Sequence, residues 1–296
     1  MIDITIPTPT VEIDLAILKE KQVSLWLKRD ELTHPTIQGN KWRKLKYNLQ
    51  FAKENNISTI ITFGGPVSNH IYSTAAAGLQ FGFKTVGVIR GYAHLPLTPT
   101  LQFAKECGME LIFLDKKSYA TRYNLNFLQN IANTFGKFHL IPDGGANTLA
   151  LKGVAELFDE IDIEYDVCCV SIGTGTTLAG ALLNPKNKNT IGFSSLKGEG
   201  IEDEINKLLK PIETHKSKWQ INKEYQFGGY GKTTQVLMDF ITEFYTKTNI
   251  QLDPIYTSKM LFGILDMVEK NKFDFGIKIL AVHTGGLQGW SKFDPI

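Results

Sequence analysis

Strand-like and helix-like stretches alternate along nearly all 296 residues, which restricts the chain to an α/β architecture with mostly parallel strands. Apolar, β-rich runs fall at 23–27, 59–63, 85–89, 110–114, 167–172, 190–193 and 278–282. Helix-like segments lie between them, at 41–54, 69–81, 98–107, 149–161, 176–183, 234–246 and 259–269. The segment 149–161 places Leu, Val, Leu, Phe and Ile at roughly helical intervals and should pack one face on a sheet. The polar stretches 184–189 and 210–225 read as surface excursions. There is no internal repeat and no low-complexity tract.

Charge and composition narrow the function. Lys and Arg number 32 against 30 Asp and Glu, so no basic patch suggests a nucleic-acid partner. No apolar run approaches the ~20 residues of a membrane span. The first ten residues lack a basic segment followed by an apolar run, so no secretory signal is expected there. Cys107, Cys168 and Cys169 lack zinc-ligand spacing; buried thiols in a cytoplasmic protein, with no metal site, are the expectation.

Three stretches carry chemistry. Ile172-Gly173-Thr174-Gly175-Thr176-Thr177-Leu178-Ala179-Gly180 follows a strand and opens a helix of small residues. Glycines let the backbone approach a ligand, threonines add hydroxyl donors, and a helix start offers free N–H groups. A phosphate there gains roughly 0.3–1 kcal/mol from the helix dipole and about 1.5–3 kcal/mol from each charge-assisted hydrogen bond. No lysine follows the last glycine, so it is no P-loop, and no ribose-binding acid follows at dinucleotide spacing. The plain alternative is a turn that only packs helix on strand.

The second stretch runs from Trp26-Leu-Lys-Arg-Asp-Glu31 to Gly39-Asn40-Lys41-Trp42-Arg43-Lys44. Lys41 falls at a helix start, where the dipole disfavours a mere surface cation. Arg43 and Lys44 follow closely, and like charges favour the free amine that Schiff-base formation needs. Alone, the cluster reads more readily as a solvated helix face. In the third stretch, Thr62-Phe-Gly-Gly-Pro-Val-Ser-Asn-His70, Ser68 and Asn69 are natural helix caps. With His70 and free N–H groups they could equally face a carboxylate.

Together these stretches resemble the fold-type II pyridoxal 5′-phosphate (PLP) enzymes, the tryptophan synthase β-like class. More narrowly, they resemble the family of 1-aminocyclopropane-1-carboxylate (ACC) deaminase and D-cysteine desulfhydrase. The resemblance rests on Lys28-Arg-Asp-Glu31, Gly39-Asn-Lys-Trp-Arg-Lys44, Gly64-Gly65 with Ser68-Asn-His70, and Pro142-Asp-Gly-Gly-Ala-Asn147. It continues through Gly173 to Gly180, Tyr230-Gly231, Leu252-Asp-Pro-Ile-Tyr-Thr257 and His283-Thr-Gly-Gly286, all in the family's order. It implies two open α/β domains with mostly parallel sheets: a small cofactor-covering domain at 45–150 and a large PLP-binding domain from 1–44 plus 151–296. A homodimer acting on a small amino-acid substrate is also implied.

By the same resemblance, Lys41 would carry PLP as a Schiff base and shuttle protons. Asn69 would bond the cofactor's ring oxygen, while Gly173, Thr174, Gly175, Thr176 and Thr177 would hold its phosphate. Thr284, in the His-Thr-Gly-Gly stretch, would also touch the cofactor. Ser68, Asn69 and His70 would grip the substrate carboxylate, with Ser68 a possible nucleophile. Tyr230 and Tyr256 would line the substrate side, Tyr256 near the reacting carbons. Two departures stand out: Tyr72 replaces the family's usual arginine, and Pro66-Val67 replaces its usual glutamine segment.

Deaminases of the family tend to have Glu after the second tyrosine; here it is Thr257. With His70 and Thr284, this places the chain on the desulfhydrase side. A hydroxyl cannot supply the charge of an acid at the cofactor ring, so the electron sink is weaker. β-Elimination tolerates that, because the leaving group drains the charge, whereas cyclopropane opening does not. The expected reaction is α,β-elimination of D-cysteine to pyruvate, ammonia and hydrogen sulfide, with ACC deamination to 2-oxobutanoate as the alternative. The different-class rival is a non-catalytic binder of a phosphorylated ligand; a nicotinamide-dependent oxidoreductase fits the loop less well.

Overall fold

The computed structural model describes residues 4–212 and 217–292. Its strands are β1 Thr10–Glu12, β2 Ser24–Lys28, β3 Thr59–Gly64, β4 Lys84–Arg90, β5 Glu110–Leu114, β6 Phe138–Ile141, β7 Val167–Ile172, β8 Asn189–Ser194, β9 Lys218–Asn222 and β10 Lys278–Val282. Its α-helices are α1 Ala16–Glu20, α2 Asn40–Glu54, α3 Asn69–Phe81, α4 Pro99–Glu106, α5 Lys116–Ala120, α6 Leu125–Phe135, α7 Thr148–Asp159, α8 Thr176–Ala181, α9 Ile201–Leu209, α10 Gln235–Thr248 and α11 Thr257–Glu269.

The strands form two sheets, ordered β1-β2-β10-β7-β8-β9 and β5-β4-β3-β6. All neighbours are parallel except the β1–β2 pair. The central strands β3 and β7 are buried at every position. A parallel strand covered by helices on both faces is a near-continuous apolar run, which is how 60–63 of β3 and 168–172 of β7 read apart from the buried hydroxyls of Thr62 and Ser171. Cys168 and Cys169 are fully buried free thiols in β7, as expected.

The chain passes from the larger sheet to the smaller through α2, and returns through the turn 142–147 and α7. Helix α2 packs on both sides: Trp42, Leu45, Leu49 and Ala52 join Ile60, Ala76, Ala77 and Ile141 in one cluster. Its other side meets α7 so closely that a Cβ on Gly153 would lie 2.0 Å from the Arg43 carbonyl oxygen. A buried ion cluster ties the same region together. Arg43 donates to Asp30 at 2.8 Å and to Glu160 at 3.0 Å, and Lys28 donates to Glu160 at 2.8 Å.

Two sequence expectations change. The stretch 210–225 is not merely a surface excursion: it supplies the edge strand β9, whose Trp219 and Ile221 pack on the core. Residues 213–216 of it lie outside the described residues. The stretch 184–189 is a turn, but Asn184 and Asn187 are buried in it. Their amides donate to the carbonyl oxygens of Ala155 at 3.0 Å and Ala181 at 2.8 Å, pinning the turn to α7 and α8.

Candidate active site

In both sheets the parallel strands end, at their carboxyl termini, around one cavity of about 230 Å³. This is where open α/β sheets gather ligands, because helix starts and short turns converge there. The turns after β3, β7 and β10 supply its walls, and α2 supplies Lys41.

Lys41 follows Gly39 and Asn40 into α2. Gly39 has φ +51, and a Cβ there would lie 2.4 Å from the Thr284 carbonyl oxygen, so the turn closes only with glycine. The Asn40 N–H donates to that carbonyl at 3.2 Å, and the Asn40 amide donates to the Thr177 hydroxyl at 3.1 Å. The helix start is thus tied to both the β7 and β10 turns. Lys41 is reachable through the cavity, but its amine is packed among protein atoms. That burial lowers its pKa to about 8, with Asp253 opposing. The sequence argument credited neighbouring like charges instead. Arg43 is in fact engaged by Asp30 and Glu160 on the far side of α2.

Lys44 is the residue the sequence argument undervalued. It lines the cavity and is buried, and burial followed by repulsion from Lys41 holds its amine well below the usual lysine range. Only its spacing from Lys41, one helical turn, hinted that both face the same way.

The turn after β3 brings in Ser68, Asn69 and His70, and all three line the cavity. Ser68 caps α3 by accepting the Ile71 N–H at 3.4 Å, so its capping role is present in the fold. Asn69 Oδ1 is buried without a hydrogen-bond partner. His70 bonds the Thr62 hydroxyl through Nε2 at 2.9 Å, while its Nδ1 is buried and unpartnered. Burial, then the charges of Lys41 and Lys44, push its pKa well below the ordinary histidine value, so it is neutral. Tyr72 stacks on Phe103 with ring centroids 4.0 Å apart, and Pro66 accepts the Thr98 hydroxyl through its carbonyl.

After β7, Gly173, Thr174, Gly175 and Thr177 line the cavity. Thr176 does not: it is fully buried, with its hydroxyl 2.9 Å from that of Thr174. Tyr256, Tyr230 and Thr284 complete the expected set on the cavity wall. The two tyrosine rings are 6.1 Å apart at 54°. Burial, then Tyr230 and Asp253, raise the Tyr256 phenol well above its usual value, which keeps it protonated. Thr257 is buried beneath this surface, outside the wall, with its hydroxyl unpartnered.

The residues present fit a small aromatic aldehyde with an anionic tail. Two buried amines, Lys41 and Lys44, have lowered pKa values, Asn69, His70 and Ser171 each hold an unpartnered buried polar atom, and a glycine–threonine turn faces the same space. The comparisons agree. Residues 2–285 match the family model of the pyridoxal-phosphate dependent enzymes. A Pyrococcus furiosus protein provisionally named 1-aminocyclopropane-1-carboxylate deaminase is 34% identical over 286 residues, spanning 90% of this chain and 85% of that one. A mitochondrial protein of Arabidopsis thaliana, named bifunctional D-cysteine desulfhydrase/1-aminocyclopropane-1-carboxylate deaminase, is 29% identical over 98% of this chain and 79% of its own. The crystal structure of an ACC deaminase homologue superposes with a TM-score of 0.83 at 29% identity, covering 97% of this chain and 92% of that one. The fold alone is shared with an O-acetylserine-dependent cystathionine β-synthase of Helicobacter pylori, at 12% identity and a TM-score of 0.69 over 97% of this chain and 95% of that one.

Proposed function

The chain belongs to the pyridoxal-phosphate-dependent enzyme family, and within it we propose that it performs α,β-elimination on a small β-substituted amino acid, D-cysteine foremost. Family membership makes PLP its cofactor and sets aside the non-catalytic binder. Bound PLP supplies an electron sink for the charge released at the substrate Cα. Lys41, Asn69, Thr284 and the 173–177 turn hold it, and Lys44 adds a second amine to the same wall. Thr176 is off the cavity wall and contributes by bonding the hydroxyl of Thr174, which lines it. The Lys41 amine, with its pKa near 8, takes the Cα proton on Nζ. Ser68, Asn69 and His70 hold the substrate carboxylate through hydroxyl, amide and ring nitrogen. Tyr256 and Tyr230 cover the substrate side, and Tyr256 keeps a proton to donate. Segment 45–150 acts as the cover over the cofactor, and the working form is a cytoplasmic homodimer.

The observation that carries the choice of reaction is the polar group offered by the β10 turn. It is the neutral hydroxyl of Thr284, while the two nearby carboxylates are engaged elsewhere. Asp253 accepts the N–H groups of Ile255, Tyr256 and Thr257 at 3.0, 2.7 and 2.7 Å. Asp143 holds Tyr119, Arg122 and Tyr123. A neutral partner leaves the sink weak, which suits a reaction whose leaving group carries the charge away. D-cysteine and water would yield pyruvate, ammonia and hydrogen sulfide.

The name of the Pyrococcus relative favours a second reading, ACC deamination to 2-oxobutanoate and ammonia, which the Arabidopsis name carries beside D-cysteine desulfhydrase. A panel of D-cysteine, L-cysteine, D-serine and ACC, read as keto-acid formation, separates the two. Turnover of ACC with none on the β-substituted amino acids overturns elimination.

A further inference from the structure

We propose that Arg90 reads a negative charge on the substrate's β-substituent, so that this site takes amino acids bearing a sulfonate or carboxylate on Cβ. This deepens the elimination reading and rests on it.

Arg90 is the last residue of β4, exposed where the buried run of that strand ends, and it lines the cavity. Its neighbour Ile89 pairs in register with Gly64, so Arg90 stands beside the turn that leads to Ser68 and Asn69. Tyr230 lines the same cavity, and its phenol, which burial raises, is pulled back down by Tyr256 and by the charge of Arg90. The Arg90 backbone belongs to the β4–β5 ladder, while its guanidinium makes no hydrogen bond or ion pair with another described residue.

The other cations around the cavity are accounted for. Arg122 donates to Asp143 at 2.9 Å and lies over the rings of Tyr119 and Tyr123 at 4.3 and 4.7 Å. Asp143 is thereby neutralised, and burial drives Lys44 toward the uncharged amine. Arg90 is left as an unmatched planar cation on the same wall. A guanidinium pairs with a sulfonate or carboxylate through parallel N–H donors, a match that a thiol or hydroxyl cannot make. The α-carboxylate already has the Ser68–His70 turn, so Arg90 meets a second anion.

The elimination balances with a β-sulfonate; a β-carboxylate has no leaving form and is a ligand only. For a β-sulfonate, the Cα–H bond breaks with its proton going to Lys41 Nζ. The Cβ–S bond breaks with its electron pair leaving on sulfite. Water then hydrolyses the released enamine to pyruvate and ammonium.

Calorimetric titration of the PLP-loaded protein with aspartate and asparagine, each in D and L form, tests the assignment without requiring turnover. In the preferred enantiomer, aspartate is expected to bind about tenfold or more tightly than asparagine, the scale of one charge-assisted contact. Arg90→Gln should bring that ratio to within about twofold, and Arg90→Lys should leave an intermediate one, since a point charge keeps only part of the pairing. No preference for aspartate in the unmodified protein overturns the proposal. Equal weakening of both ligands in Arg90→Gln also overturns it, by placing Arg90 on the α-carboxylate. Pyruvate formation from cysteate and β-chloroalanine reads the reaction separately. If neither reacts while the aspartate preference stands, the elimination reading fails and the charge assignment holds. If β-chloroalanine reacts without an aspartate preference, the charge assignment alone fails.

Discussion

Gly173 lies against the ring of Tyr256: a Cβ at Gly173 would meet the ring's Cε1 and Oη at 3.2 Å. The glycine–threonine turn after β7 and the proton-bearing tyrosine therefore share one contact surface. Gly173→Ala must displace the ring by a few tenths of an ångström, an overpacking that costs about 1–3 kcal/mol. The expected outcome is about tenfold weaker PLP retention together with slower turnover, measured by cofactor absorbance after dialysis and by keto-acid release.

Proton release from Lys41 gives a pH signature. The amine ionises near pH 8 in the folded protein against the ordinary 10.5, so the unfolded chain binds this proton more tightly. Its contribution is unfavourable to the folded apoprotein below about pH 8 and vanishes above 10.5, so stability from this group rises with pH across that window. PLP capture by the apoprotein should accelerate with pH and level off above about 8. Stopped-flow absorbance between pH 6.5 and 10 checks it; a rate still climbing steeply at the upper end contradicts the assignment.

Lys259 is buried in α11, and its ammonium donates to the carbonyl oxygens of Gln226 and Gly229, each at 2.8 Å. Those carbonyls belong to the loop that carries Tyr230, in which Phe227, Gly228, Gly229 and Gly231 all have positive φ. Lys259→Met removes two charge-assisted hydrogen bonds, each worth about 1.5–3 kcal/mol, and leaves each carbonyl with a single backbone donor, the Gly229 N–H on Gln226 and the Lys232 N–H on Gly229. The substrate KM should rise more than kcat falls, because the loop positions Tyr230 without touching Lys41. Lys259→Arg should restore part of the KM.

Arg43 neutralises Asp30, which is fully buried, and shares Glu160 with Lys28. Arg43→Met strands the Asp30 carboxylate, and breaking such a pair costs about 3–5 kcal/mol. Urea denaturation should show a loss of that size. Adding Asp30→Leu to Arg43→Met should recover part of it, since the unpaired charge goes with the side chain.

The strands visible in sequence have long buried runs, such as β3 and β7, or neighbours on both sides, such as β4 and β10, or, in the edge strand β5, four consecutive apolar residues at 111–114. The strands overlooked, β1, β6 and β9, all lie at sheet edges. Each is three to five residues long, and none of the three burial patterns is continuously buried. Strands so short and partly exposed leave no continuous apolar run for a sequence to display. The cavity residues on turns were legible because glycine, threonine, serine and asparagine have stereochemical reasons to be there. Lys44 and Arg90 were not, because a cation's role depends on what surrounds it. Burial of Lys44 against Gly145 and His70 comes from the packing of α2, and that is a property of the whole chain.

The two crossings between the sheets have a mechanical consequence. One is α2, which carries Lys41; the other is the 142–147 turn, whose Asp143 and Gly144 line the cavity. A tilt of one sheet against the other would therefore be felt at the start of α2 and at the 142–147 turn, both of which line the cavity.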